Sequence, residues 1–332
     1  MAATETDLAG DEQRALREGC GLLDRSERGK LALTGTDAKK FLNGQVTNDV
    51  ERLTDGDGCY AAFLTHKGKM LGDIRILDAR EELLLDTERV ALQALFDMIR
   101  RFKIGFEVDL HKRTLESALL SLIGPTAEEV VARALDRDAG SASGKGAIGL
   151  GSEEHSHAPA RIGSAAARLI RTDTGIDVLC ESPSAETVKA AIVQAGAEAV
   201  SEQAAEVVRV EHGRPRYGVD LDETTIPQEA GLNERAVSFT KGCYVGQETV
   251  ARLYYKGKPN RLLRGLQLSE PVPVDTELLL GERAVGRLTS VTLSPRLGPI
   301  GLGLVRVAAE PGTTLAVAGS DASAVVRELP FA

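Results

Sequence analysis

The sequence predicts an α+β protein that ends in a small all-β barrel. Three observations predict it. Over most of the chain, apolar runs of strand length alternate with segments whose apolar residues fall at helical spacing. From about residue 261 the helical period is gone, and LLRGLQL, ELLLG, AVGRLTSVTL and GLGLVRVA follow as short strands broken by Gly and Pro. The 34 glycines in 332 residues supply the turns that so many short elements need. The boundary falls near Pro259-Asn260, giving one region over 1–258 and the barrel over 259–332.

KLALTG (30–35) reads as a strand, and Thr36-Asp37 as the capping pair of the helix that follows. CYAAFLTHKGKMLGDIRILD reads as a hairpin turning at His66-Lys67-Gly68-Lys69, where Gly68 supplies a positive φ. ELLLDT is a strand, and Val90, Leu92, Leu95, Phe96 and Ile99 mark a helix. LESALLSLIGPTAEEVVARAL repeats the strand–turn–helix theme around Gly124-Pro125. Residues 138–160 are rich in Gly, Ser and Ala and read as a mobile insertion. ARLIRTDTGIDVLCES reads as a second hairpin, and SAETVKAAIVQAGA as a helix capped by Ser184.

Composition excludes some functions. Trp is absent and aromatics are 4%, so the core rests on Leu, Val, Ile and Ala. A net charge of −9 argues against general binding to nucleic acid or anionic membrane, which needs an excess of Lys and Arg. Cys20, Cys59, Cys180 and Cys243 are far apart with no CxxC pair. That fits a reducing compartment and disfavours a metal or cluster site built by this chain alone. The acidic N-terminus has no apolar h-region, and no apolar run approaches the roughly 20 residues of a membrane span. The expected location is the cytoplasm.

Three segments carry chemistry: FLNGQVTNDV (41–50), RVEHGRPRYGVDLDETTIPQEAGL (209–232) and SFTKGCYVGQETVARLYYKGKPNR (238–261). In IPQEAGL, apolar neighbours point to a partly buried carboxylate at Glu229, which requires hydrogen-bond donors. A planar N–H/NH2 edge such as a pterin's offers two parallel donors, as a guanidinium does. Glu211 is a second candidate, and metal binding by these carboxylates is the weaker alternative because their spacing matches no calcium or magnesium loop. In KGCYVGQE, Lys241 and a helix beginning just after Cys243 would both favour a thiolate. The opposing reading is a small buried hydrophobe, and local physics leaves both open. Arg252, Lys256, Lys258, Arg261 and Arg264 form a basic cluster with no acidic residue to balance it. It suits a polyglutamate tail, a phosphate backbone or an acidic partner, or else it is a solvated face. GPIGLG (298–303) has no following helix and is not a nucleotide loop, and His155 with His157 make a poor metal site.

Together the three segments resemble the YgfZ branch of the glycine-cleavage T-protein superfamily, whose hallmark KGCYxGQE is complete from Lys241 to Glu248. The resemblance runs from about residue 20 to the C-terminus. It implies a three-lobed cloverleaf around a central tetrahydrofolate site, with the last lobe a β-barrel. It also implies an accessory role in assembling or repairing iron–sulfur clusters, with client enzymes (tRNA-modifying ones among them) or cluster carriers as partners. Cys243 carries over as the functional thiol, with Lys241 beside it. Glu211, Tyr217 and Glu229 match folate-contacting or adjacent positions, and Asn48 and Arg252 join them as candidate contacts. One departure stands out. Where aminomethyltransferases carry an acidic pair, this chain has Asp73 preceded by Gly72, and a T-protein would lack the thiol. The competing expectation is a folate-dependent aminomethyl or one-carbon transferase acting through Asp73. A tRNA-binding module is the third, and the net charge opposes it.

Overall fold

The computed structural model describes residues 5–136 and 148–331. The chain divides into two compact units, one of Met1–Asn43, Asp49–Tyr60 and Ile74–Ala205, the other of Gly44–Asn48, Ala61–Asp73 and Glu206–Ala332.

The elements up to the second unit's C-terminal run are α1 (Glu5–Glu18), β1 (Gly21–Asp24), β2 (Gly29–Thr34), α2 (Ala38–Asn43), β3 (Gly58–Leu64), β4 (Met70–Asp78), β5 (Leu83–Thr87), α3 (Leu92–Phe102), β6 (Asp109–Lys112), β7 (Ser117–Ile123), α4 (Ala127–Ala134), β8 (His157–Ile162), β9 (Ala165–Arg171), β10 (Gly175–Glu181), α5 (Ala185–Gln194) and β11 (Glu198–Ala199). They build a six-stranded sheet in the order β11-β1-β7-β10-β9-β8 and a five-stranded sheet in the order β3-β4-β5-β2-β6. In the first, only β1 and β11 pair in parallel among the pairs with a defined register; the rest pair antiparallel, β8–β9 and β9–β10 as hairpins.

Alternation explains the packing. Leu120 and Leu122 of β7 and Ile176 and Val178 of β10 bury with Val130 and Val131 of α4 and Val188 and Ile192 of α5. Charge is also buried. Arg75 of β4 is 8% exposed and lies between Asp86 at 2.7 Å and Asp177 at 2.6 Å, so each buried ion has a partner.

Some expectations need correcting here. Val90 lies before α3 and is 65% exposed, so the helix starts later than its apolar spacing suggested. Ser184 occupies the cap position of α5 but makes no capping hydrogen bond. Of the expected insertion, residues 138–147 lie outside the described residues. Residues 148–160 are part of the fold: Ile148 and Leu150 are core residues and β8 begins at His157.

The second unit continues with α6 (Glu202–Glu211), which crosses the boundary, then α7 (Asn233–Ala236), α8 (Gln247–Lys256), β12 (Arg261–Leu268), β13 (Glu277–Leu280), β14 (Arg283–Ser294), β15 (Gly298–Arg306), β16 (Thr314–Val317) and β17 (Ser323–Arg327). The last six strands close into a barrel in the order β12-β15-β14-β13-β16-β17. Leu266, Leu278, Leu288, Leu315 and Val326 fill it. GPIGLG is the start of β15, paired with β12 and β14. The predicted α+β class with a C-terminal β-barrel is the observed one. Among the described residues no helix is long and apolar enough to cross a membrane.

Candidate functional site

The residues singled out in all three segments lie in the second unit, which takes Gly44–Asn48 and Ala61–Asp73 from the early chain for this purpose. Hydrogen bonds join the pieces. The Lys241 ammonium donates to the carbonyls of Val46 (2.9 Å) and Asn48 (2.8 Å). Val245 N–H donates to Gly44, and Ser238 N–H to Thr47. The Thr47 hydroxyl donates to the Ala236 carbonyl at 2.5 Å, and the buried Asn48 amide donates to Arg235. The early segment thus frames the loop that carries Cys243.

Two glycines are required at this junction. Gly246, the residue before α8, has φ +83°, and a Cβ there would stand 2.6 Å from the Thr65 carbonyl oxygen. Gly68 has φ +74°, and a Cβ would meet Thr249 at 2.8 Å. The hairpin turn and the first turn of α8 therefore touch backbone to backbone. Cys243 is exposed on this loop, whereas Cys20, Cys59 and Cys180 are buried. The buried-hydrophobe reading of Cys243 is overturned. The Lys241 ammonium donates to two main-chain carbonyls and lies 5.2 Å from the centre of the Tyr244 ring. It is a strut of the loop.

Asp73, on β4, is 6% exposed. Burial first, then the charges of Glu223, Asp222 and Asp73, push the Tyr217 phenol above its usual range. Glu229 is buried as expected, but its donors are the chain's own. Arg261 Nε donates to Oε1 at 3.2 Å and Nη2 to Oε2 at 3.4 Å, while Ile226 N–H donates to Oε2 at 3.0 Å. The Arg261 guanidinium thus supplies a planar donor edge to this carboxylate. Glu211 ends α6 and accepts the Ser294 hydroxyl. Asp220 is likewise structural, accepting from Arg209 (2.6 Å), Thr289 (2.6 Å) and Ser290 (2.7 Å).

The basic cluster divides. Arg261 pairs with Glu229 and Arg264 lies 3.9 Å from Glu328, so the expectation of a cluster without acids fails for these two. Arg252, Lys256 and Lys258 are exposed, and among the described residues none has an ion pair. Sequence reasoning missed Gln228. It is 5% exposed, its amide N–H donates to the Val250 carbonyl at 2.8 Å, and its Oε1 has no hydrogen-bond partner among the described residues. The amide cannot be flipped to cure this, because Oε1 would then face the Val250 carbonyl. A glutamine between Pro227 and Glu229 carries no signal that marks it in advance. Among the described residues no three of His, Cys, Asp and Glu converge to hold a metal ion.

Residues 3–241 match the GCVT N-terminal domain, and residues 261–332 match the glycine cleavage T-protein C-terminal barrel domain. The chain belongs to the glycine-cleavage T-protein family. Within that family it is 30% identical over 328 residues to an aminomethyltransferase of Rubrobacter xylanophilus, covering 96% of this chain and 85% of the relative. It is also 30% identical over 327 residues to a chloroplastic protein of Arabidopsis thaliana, provisionally named a transferase, covering 96% and 72%. The crystal structure of the glycine cleavage system aminomethyltransferase T from Bartonella henselae superposes with a TM-score of 0.84 at 23% identity, covering 98% of this chain and 89% of that one. The T-protein fold accounts for the closed barrel and for the two sheets before it.

Proposed function

We propose that this T-protein-family chain binds tetrahydrofolate or a one-carbon derivative of it, and serves as an accessory factor in assembling or repairing iron–sulfur clusters of client enzymes. Its working group in this reading is the Cys243 thiol. The observation that carries it is the contrast among the four cysteines: three are buried, and Cys243 stands exposed on a loop anchored at Lys241 and Val245 and followed by Gly246. A loop braced that firmly around an accessible thiol is built to present it.

The residues present fit a folate on two counts. The buried, unpartnered Gln228 oxygen would accept an N–H from a pterin, which has several. Asp73, a buried carboxylate, and the half-buried Tyr217 phenol add polar groups from the same unit. Glu229 is already engaged by Arg261 and the Ile226 N–H, so this reading does not rest on it. When bound, tetrahydrofolate supplies a carrier for a one-carbon unit.

A second reading is one-carbon transfer at Asp73, with the thiol incidental. The burial of Asp73 favours it, and so do the names of the relatives, which support it more directly than they support the first. Two assays on the wild type, Cys243→Ala and Asp73→Asn separate the readings. One is turnover of an aminomethyl donor with tetrahydrofolate. The other is the iron and sulfide content of iron–sulfur enzymes in cells that carry only the tested variant. The accessory reading expects no turnover and a fall in cluster content with Cys243→Ala. Turnover that survives Cys243→Ala and disappears with Asp73→Asn would replace it with the transferase.

A further inference from the structure

We infer that Phe239, Tyr254 and Tyr255, with Arg252, Lys256 and Lys258 beside them, form a docking surface for a protein that brings an acidic patch to the Cys243 loop. The identity of that protein rests on the accessory reading above, in which it is an iron–sulfur client enzyme or a cluster carrier.

Large rings are scarce in this chain, which has seven Phe, five Tyr and no Trp. Three of them meet in the second unit. Phe239 stacks on Tyr254 with centroids 3.7 Å apart and planes 17° from parallel, and Tyr255 stands edge-on to Tyr254 at 5.0 Å. Tyr254 is 50% exposed and Tyr255 66%. Holding Phe239 against α8 accounts for the stacked pair. It does not account for Tyr255, whose ring lies mostly in water and closes no core. Pre-packed Tyr rings with an Arg beside them suit the centre of a protein interface, because they bury much area at little cost in side-chain freedom. Phe239 comes four residues before Cys243, and α8 begins four residues after it, so the segments that bear the rings flank the exposed thiol.

Charge selects the occupant. Between Glu248 and Glu270 the chain has five cations and no acid, against a net charge of −9 overall. Arg252, Lys256 and Lys258 are exposed and form no ion pair among the described residues. On α8, Arg252 is three residues from Tyr255 and four from Lys256, which puts all three on one face. An acidic protein surface complements that face. A second copy does not, because a two-fold contact would set the same cations against one another. Single-stranded RNA stacks its bases on open ring faces, and here Phe239 and Tyr254 close theirs on each other.

A benzophenone amino acid in place of Tyr255, in the full chain and in the cells that make it, tests the inference once each photo-crosslink is mapped to the residue it reaches. The expected product joins this position to an Asp- or Glu-rich segment of an iron–sulfur protein. Its yield should fall about tenfold in the Lys256→Glu/Lys258→Glu chain and recover when acids of that segment are replaced by lysine. Both lysines are exposed, so the reversal should leave urea unfolding unchanged. No product, a product with a second copy or with RNA, or a yield indifferent to the charge reversal would overturn the inference. None of these results would touch the accessory reading, which is decided by cluster content in cells that carry Cys243→Ala. A charge-dependent product confined to acidic proteins without clusters would support the docking surface and remove the accessory reading.

Discussion

The Lys241 ammonium donates to the Asn48 carbonyl at 2.8 Å, across 193 residues of sequence. With the companion bond to Val46, it uses the one lysine of KGCYVGQE to pin the early segment against the thiol loop. A strut of this kind should be felt in stability. Lys241→Met, which keeps the stem and removes the charge, is expected to cost about 2 kcal/mol, since the bonds are charge-assisted but the side chain is only half-buried. Urea unfolding measures it. A loss under about 0.5 kcal/mol would show that the loop does not depend on Lys241.

Glu229 and Arg261 form a pair in which the carboxylate is buried and the guanidinium partly exposed. Removing either partner should destabilise by about 2 kcal/mol, and a double-mutant cycle with Glu229→Gln and Arg261→Met should give a coupling above about 1 kcal/mol. Additive effects would mean that the pair contributes through something other than its contact.

The four thiols should react unequally. Burial pushes the Cys20 thiol up to about 12 and the Cys180 thiol up to about 11, and Cys59 is buried as well. Titration of the native chain with a thiol-specific disulfide reagent should therefore modify one group per chain, lost in Cys243→Ala, and four after denaturation. More than one fast thiol in the native chain would contradict the burial of the other three.

His157 is held neutral. Arg168 donates to its Nδ1 at 2.8 Å, and its Nε2–H points to the Asp57 carbonyl at 3.1 Å. Burial, then the Arg168 charge, lowers its pKa from 6.5 to about 4. The unfolded chain therefore binds a proton over this interval that the native chain refuses. Stability from this group is fully present above about pH 6.5 and is lost as pH falls toward 4, to a total of about 3 kcal/mol. Comparing wild-type and His157→Asn unfolding from pH 7.5 to 4.5 should show the steeper decline in the wild type. Parallel curves would mean that His157 titrates normally.

Local order was legible in the sequence, and long-range pairing was not. Strand β2 and the hairpin at Gly68 were visible because alternation and a turn glycine are local signals. The start of α3 was misplaced because Val90 keeps the helical spacing while lying outside the helix, and Ser184 has a capping residue's identity without its hydrogen bond. Residues 148–150 were hidden by their composition: a Gly-rich stretch contains Ile148 and Leu150, two core anchors too few to register as a period. At the candidate site the residue types were legible and their partners were not. Glu229 was seen to need a planar donor, but that the donor is Arg261, 32 residues away, depends on the fold bringing β12 back to it. Lys241 was read as a neighbour of Cys243 because sequence shows neighbours, and its bonds to Val46 and Asn48 are visible only in the fold. Gln228 matters only once the absence of a partner for its oxygen is known.

The measurement that tests the central claim most directly is calorimetric titration of tetrahydrofolate into the wild type and into Gln228→Met. The account predicts saturable binding by the wild type. It also predicts binding about tenfold or more weaker in the variant, whose size is kept and whose orphaned acceptor is gone. A folded wild-type chain that takes up no tetrahydrofolate would contradict the account, and Cys243 with its partners would have to explain the protein without a pterin.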